Sequence, residues 1–238
     1  MEQSNIISLR NMTKRFPVGQ GHFTALKEIN LEFGKGEFAG LVGPSGSGKT
    51  TMLNIIGSLD SPSEGEAIVM GHSISELSHK ESARLRNEHI GFIFQEYNLL
   101  PVYTVFENVE FALLLLKMDA EQRKKAVHEA LEWVGLTDKI KSKPAMLSGG
   151  ESQRVAIARA IVKRPALVLA DEPSANLDAE NSHNILRTMK QLNQELDTTF
   201  IFSTHDEKVM QYLDRKISLE DGRVVKDELM SHPKPQSA

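Results

Sequence analysis

Hydrophobic and polar positions change period along this chain, and each change predicts an element. Ile7 and Leu9 alternate with polar neighbours, and Ile29, Leu31 and Phe33 repeat the pattern, which predicts two half-buried strands of an antiparallel sheet. Between them Lys14-Arg15-Phe16-Pro17-Val18-Gly19 reads as a basic, aromatic segment breaking into a Gly-rich loop. Phe38-Ala39-Gly40-Leu41-Val42 is continuously apolar, like a strand covered on both faces, and Met52, Leu53, Ile55, Ile56 and Leu59 then recur at helical spacing. Glu66 to Met70 returns as a strand, Ile74 to about Asn87 is polar and helix-prone, and Ile90 to Phe94 is an apolar strand ending in Gln95. Val105 to Lys117 and Ala120 to Val134 read as two helices, with Gly135 as terminator and Trp133 assigned to the core. A further helix buries Val155, Ile157, Ala158, Ile161 and Val162, and Leu167 to Ala170 is a doubly covered strand. Ile185, Met189, Leu192 and Leu196 line one helix face, Thr199 to Ser203 is β-rich, and Ile217, Leu219, Asp221-Gly222 and Val224-Val225 spell a hairpin. The order predicts an α/β chain with a helical block inserted in it.

The junction after the second apolar strand carries chemistry. Gly43-Pro44-Ser45-Gly46-Ser47-Gly48-Lys49-Thr50 fits the phosphate-loop pattern G-x-x-x-x-G-K-[ST], and it joins a strand to a helix, where that pattern works. Glycines let successive N–H groups turn inward, and the helix adds its positive end, so a polyphosphate meets donors without many cationic side chains. Lys49 would reach the β- and γ-phosphates, and the Thr50 hydroxyl would meet a Mg²⁺ bridging them.

Other segment ends gain weight beside this loop. Asp171-Glu172-Pro173 closes a buried strand, where two acids are costly unless they face a cleft; Asp171 suits Mg²⁺ and Glu172 suits accepting a proton from an attacking water. His205 ends the next strand, a position suited to a γ-phosphate, although a lone His is more often structural. Phe16 offers an aromatic face to a base, with a core position as the alternative, and Gln95 by itself is an ordinary loop start. Leu147-Ser148-Gly149-Gly150-Glu151 opens a helix with capping-box spacing, yet capping does not call for two glycines in a first turn, where each costs about 1 kcal/mol relative to Ala. Bare amides there make sense for a second docked anion.

Composition narrows the class. The 238 residues are enough for one large domain with its own core, and with no cysteine there is neither a disulfide framework nor a thiolate site. The apolar run Phe111 to Leu116 is far short of the roughly 20 residues of a membrane helix, and Met1 to Asn5 lacks the basic and apolar pattern of a secretory leader. A net charge of −4 argues against a nucleic-acid surface.

Together and in this order, the motifs resemble the nucleotide-binding subunit of ATP-binding cassette (ABC) transporters over residues 5 to 225. Gly43 to Thr50 looks like Walker A, Gln95 the Q-loop, Leu147 to Glu151 the signature, Leu167 to Asp171 Walker B, Ser174-Ala175-Asn176-Leu177-Asp178 the D-loop and His205 the switch histidine. Phe16 matches the adenine-stacking position, usually Tyr. Gly91 to Gln95, Asn98-Leu99-Leu100-Pro101 and Glu107-Asn108-Val109 are similar to the lipoprotein-releasing and macrolide-export branch; Glu151 fits its lipoprotein-releasing members, and Ala175, where Gly is common, departs from it.

The resemblance implies a single P-loop ATPase domain with an antiparallel β subdomain, a helical subdomain over about 96–163 and a flexible tail from about 228 to 238. It implies ATP and Mg²⁺ as cofactors, with Thr50, Gln95 and Asp171 at the metal and Glu172, His205, Lys49 and Gln95 catalytic. Phe16, Gly43 to Thr51 and Ser148 to Glu151 would bind nucleotide, and Ser174 to Asp178 would meet a second copy. It further implies a head-to-tail homodimer at the inner face of the cell membrane, a separate permease gripped near Gln95, and in some members a periplasmic partner. A cassette of the same branch that serves signalling or cell division is the alternative. Soluble cassettes acting on DNA or ribosomes would carry a coiled-coil insertion, zinc cysteines or a second cassette, none of which the sequence has.

Overall fold

The apolar runs pair as their period requires. The computed structural model describes residues 5–230, and in chain order these form β1 (Asn5–Val18), β2 (Gly21–Gly34), β3 (Phe38–Val42), α1 (Lys49–Ile56), β4 (Glu64–Val69), β5 (His72–Ser73), α2 (His79–His89) and β6 (Ile90–Ile93). They continue with α3 (Val105–Glu110), α4 (Ala120–Trp133), α5 (Gly149–Ile161), β7 (Leu167–Asp171), α6 (Ala179–Leu196), β8 (Thr199–Thr204), α7 (Glu207–Met210), β9 (Arg215–Glu220) and β10 (Arg223–Leu229). The alternating segments build an antiparallel sheet ordered β2-β1-β4-β5, and the continuous runs build a second sheet ordered β10-β9-β3-β8-β7-β6. Within the second sheet β9, β3, β8, β7 and β6 are parallel, and β10 closes it as an antiparallel edge.

The parallel sheet is covered on both faces, and side-chain alternation divides the core between them. Phe38, Val168, Ala170, Phe200 and Phe202 face one cluster, shared with α3 to α6, where the Phe38 and Phe202 ring centroids lie 4.7 Å apart. Ala39, Leu41, Leu167, Leu169 and Ile201 face the other, beneath the antiparallel sheet and against Met52 and Ile55 of α1. Period two on strands buried from both sides therefore ties the helical block and the β-layer to one central sheet.

Several elements differ from their sequence expectation. The Lys14–Gly19 segment is not a loop: β1 continues to Val18 and turns on Gly19-Gln20 into β2, pairing Phe16 with Phe23. The expected helix over Val105–Lys117 ends at Glu110, and only a 3₁₀ turn, Phe111–Leu113, follows, because Leu114 and Leu115 find no core to face and are exposed. The polar helix begins only at His79, after Ser78 and Glu81 close a capping box. Leu59 lies beyond the end of α1 and is half exposed, whereas Trp133, half-buried, does pack against the core cluster, with the Arg164 guanidinium 5.5 Å from its ring. Glu228 and Leu229 belong to β10, so the part of the expected tail that falls on them is strand, while residues 231–238 lie outside the described residues, as does most of the Met1 to Asn5 segment.

The strand that delivers Gln95 has little room. A Cβ at Gly91 of β6 would stand 2.4 Å from the Ala160 carbonyl oxygen of α5, a backbone atom that cannot step aside. Gly91→Ala is expected to destabilise the fold by about 1–3 kcal/mol through overpacking. Urea denaturation against the parent checks this, and an unchanged midpoint would refute it.

Candidate functional site

β3 ends at Val42, and the chain crosses Gly43–Gly48 into α1 without a side-chain cap. Gly48 sits at the N-cap with φ 104°, and a Cβ there would meet Leu26 Cδ2 at 2.7 Å and the Ala25 carbonyl oxygen at 2.8 Å, so only glycine fits. The first amides of α1 thus face outward with no acceptor from the cap. Lys49 is buried, and its Nζ donates to the carbonyls of Gly43 at 2.8 Å and Pro44 at 2.9 Å, which fixes the ammonium and leaves its third N–H for a ligand. Thr50 Oγ1 lies 3.2 and 3.1 Å from the two carboxylate oxygens of Asp171, to which it donates.

Asp171 ends β7 opposite Ser203 of β8, and the next residue leaves the sheet abruptly. Glu172 adopts φ 47°, a left-handed conformation that is uncommon outside glycine and costs of order 1–3 kcal/mol. That turn aims its carboxylate back at β8, where Oε1 accepts from His205 Nδ1 at 2.7 Å and Oε2 from Thr204 Oγ1 at 3.2 Å. With Nδ1 donating, His205 keeps Nε2 available.

These groups meet in a cleft of about 420 Å³, lined by Phe16, Ser45, Gly46, Gly48, Lys49, Thr50, Thr51, Gln95, Asp171, Glu172 and His205. Gly43, Pro44 and Ser47 support it from the loop and do not line it. Gln95 lines the cleft, and its backbone carbonyl accepts from Asn176 Nδ2 at 3.0 Å. Sequence reading missed three lining residues: Phe23, Ala25 and Ser203. Phe23 was countable, because a two-residue turn at Gly19-Gln20 pairs Val18 with Gly21 and so Phe16 with Phe23.

The donor set fits a nucleoside triphosphate and Mg²⁺. Ser203 is 1% exposed, lines the cleft beside Asp171, and its hydroxyl has no partner among the described residues, as a group that meets a bound ligand or its water would be. One hydroxyl and one carboxylate suit Mg²⁺, which keeps several waters and needs few protein oxygens when phosphates supply the rest. No group of three acidic, His or Cys side chains is placed to hold a metal ion by itself among the described residues.

Ser148 to Glu151 lie outside this cleft, at the start of α5. Glu151 N donates to Ser148 Oγ at 3.2 Å, and Ser148 N donates to Glu151 Oε2 at 2.8 Å; this second bond first, and then the Lys139 ammonium, hold the Glu151 carboxyl below its ordinary pKa. The glycines have an intrachain reason as well: a Cβ at Gly150 would sit 2.7 Å from Asn181 Oδ1, and one at Gly149 3.1 Å from the Tyr97 hydroxyl. The segment Ser174 to Asp178 is tied down nearby, with Ser174 Oγ donating to Asp206 at 2.9 Å, and Gln153 Nε2 of α5 donating to the Pro173 carbonyl at 2.7 Å.

Comparison with known proteins agrees with this geometry. The profile of the ABC transporter family matches residues 26–175. The chain belongs to the ABC transporter family. It is 42% identical over 222 residues to the lipoprotein-releasing system ATP-binding protein LolD of Bacteroides thetaiotaomicron, covering 93% of this chain and all of that one. It is also 42% identical over 227 residues to the macrolide export ATP-binding/permease protein MacB of Burkholderia pseudomallei, of which it spans 35%. The dimeric, post-hydrolysis structure of the cassette MJ0796 of Methanocaldococcus jannaschii, bound to ADP and Pi, superposes with TM-score 0.87 at 41% identity, over 95% of this chain and 99% of that one. The protein is therefore an ABC ATPase of the lipoprotein-releasing and macrolide-export branch, a transporter subunit that binds and hydrolyses ATP.

This ABC cassette has a second cleft, of about 500 Å³, away from the strand-end chemistry. Phe92, Leu100, Phe111 and Leu115 give it an apolar lining, and Arg86, Arg159 and Lys163 stand within it. No helix among the described residues is long and apolar enough to cross a membrane. The three cations donate to backbone carbonyls: Arg86 to Ser58, Arg159 to Tyr97 and Asn98, and Lys163 to Arg86 at 2.7 Å. Burial pushes Lys163 down from 10.5 to about 8. Between those values the unfolded chain binds more protons than the folded one, so Lys163 makes stability rise with pH through that window. Lys163→Met should give a shallower rise in ΔG of unfolding between about pH 8 and 10. Urea titrations of both proteins across that range test this, and equal slopes would refute it.

Proposed function

We propose that the cassette works as a homodimer on the inner face of the cell membrane, hydrolysing Mg·ATP to drive a permease seated in the apolar cleft between α2, β6 and the 3₁₀ turn. The observation that carries the reading is the meeting of Thr50 and Asp171 beside the loop that holds Lys49, with Glu172 and His205 at the next position. The amides of α1 and the spare N–H of Lys49 take the β- and γ-phosphates, and Phe16 stacks on adenine. Thr50 and Asp171, with Gln95 nearby, would hold Mg²⁺, which supplies charge neutralisation on the phosphate oxygens. Glu172, fixed at both carboxylate oxygens, accepts the proton of the attacking water, and His205 presents Nε2 to the γ-phosphate.

Ser148 to Glu151 complete the site of the partner copy, and Ser174 to Asp178 line the contact between copies. Their position outside the chain's own cleft supports this, as does a cleft of about 510 Å³ on the far side of Glu172 and His205, lined by Ser174, Ala175 and Leu177. Helices α3 to α5 form the helical subdomain, within the single cassette domain. The release and export systems named among the relatives favour transport over signalling or cell division, and support a permease with a periplasmic partner.

Glu172→Gln should retain ATP binding and slow hydrolysis by about 10²–10⁴-fold, because the amide keeps the shape and loses the proton acceptor. Single-turnover measurement with binding by calorimetry reads both effects, and undiminished turnover would remove Glu172 from the chemistry. Lys49→Ala should weaken nucleotide binding itself.

The shared site is tested by mixing a Lys49→Ala subunit with a Ser148→Arg subunit, each inactive as its own dimer. If the signature acts in trans, one interface collects both lesions, and the other is intact and occludes ATP. Failure to recover occlusion, once mixed dimers are shown to form, would overturn the trans assignment.

A further inference from the structure

The geometry points to Phe23 as a second nucleobase-binding ring, so that the base rests on a two-phenyl platform with Phe16; the inference rests on the reading of the cleft as the ATP site. Phe16 and Phe23 are directly opposed in the β1–β2 register. Opposed residues project from the same sheet face with Cβ atoms about 4.5–5.5 Å apart, so the two side chains leave the sheet side by side. Both line the cleft that holds Lys49 and Thr50, and Phe23, at 56% exposed, is more open than Phe16 at 36%.

Surroundings give the platform a direction. Lys14 Nζ lies 5.1 Å from the Phe16 ring centroid and is anchored by Asp60 and the Ser61 carbonyl, so one face of that ring is occupied and the other is left for a ligand. Along β2 the face that carries Phe23 next carries Ala25, a small residue beside Gly48. Two strand residues span about 7 Å, roughly the reach of a ribose, so the strand runs from ring to small side chain to phosphate cradle in the order base, sugar, phosphate. A purine bicycle is wider than one phenyl, and an exposed neighbouring ring on the same face extends its apolar contact.

The experiment is calorimetric titration of the full chain and its Phe23→Ala, Phe23→Leu and Phe23→Tyr variants with Mg·ATP and with inorganic tripolyphosphate, which has no base. Removing the ring should raise the Kd for ATP by about tenfold in Phe23→Ala, within the range found for base–aromatic stacking, and leave tripolyphosphate unchanged. Phe23→Leu should lose most of the same affinity and Phe23→Tyr should keep it. Parent-like ATP affinity in Phe23→Ala or Phe23→Leu overturns the ring assignment. An equal loss for ATP and tripolyphosphate also overturns it, by moving the effect to the phosphate loop. Lys49→Ala, expected to lose both ligands, separates the two ideas: a parent that binds neither ligand sinks the cassette reading, whereas a binding parent with an indifferent Phe23 sinks only the platform.

Discussion

The site depends on the register of one parallel sheet. Val42 of β3 pairs with Thr204 of β8, and Ser203 of β8 pairs with Asp171 of β7, so the carboxyl ends of three strands finish on one line. Each strand then releases a different group at that line: the phosphate loop, the acidic pair, and the Thr204-His205 step. A slip of one residue in β7 would turn Asp171 to the opposite face and carry Val168 and Ala170 out of their cluster, so the packing that stabilises the sheet also fixes the chemistry. Buried apolar runs are in this sense the scaffold of the polar constellation, and neither is specified without the other.

Beyond the strands, the loops are bonded to one another rather than left to the sheet. Gln153 joins α5 to the carbonyl after Glu172, Asn176 joins the next turn to the backbone of Gln95, and Ser174 joins it to Asp206. Glu172 keeps its left-handed backbone because both its carboxylate oxygens are engaged by β8 residues and its own N–H is bonded to the Ser203 carbonyl at 2.9 Å. Local strain is held there by a network, which is the arrangement expected where a side chain must be aimed rather than merely accommodated.

Much of this was legible in the residues, and for identifiable reasons. Continuous apolar runs mark β3 and β7 because burial on both faces leaves no room for polar alternation, a β-rich segment marks β8, and the phosphate loop, Asp171 and the Thr204-His205 step are placed because they stand at the ends of those strands. The helix over Val105–Glu110 was overextended because four leucines in sequence satisfy a helical pattern locally, while only Leu113 of Leu113–Leu115 finds the core. The end of β1 escapes the pattern for the opposite reason: Phe16 and Val18 are exposed, Phe16 lines the cleft, and with Pro17 between them they look like a loop unless the Gly19-Gln20 turn is counted as a hairpin.

The start of α5 is bonded, through Gln153, to the loop that follows β7. Its two glycines suit bare amides that meet an anion, and the structure adds a steric demand from Asn181 and Tyr97 of the same chain. The two reasons are compatible. The capping exchange between Ser148 and Glu151 engages only the Ser148 and Glu151 amides, so the first-turn amides of Gly149 and Gly150 are left over, as helix N-termini require. Asn181, which crowds Gly150, is itself held by Asp178, the residue that caps α6 and ends the Ser174 to Asp178 turn. The position of the α5 start is thus set by packing against the segment that also bonds to Gln95, so a displacement of α5 is felt at the nucleotide cleft through the side-chain bonds of Gln153 to the Pro173 carbonyl and of Asn176 to the Gln95 carbonyl. The start of α5 therefore lies outside its own chain's cleft yet is bonded to the loops that border it.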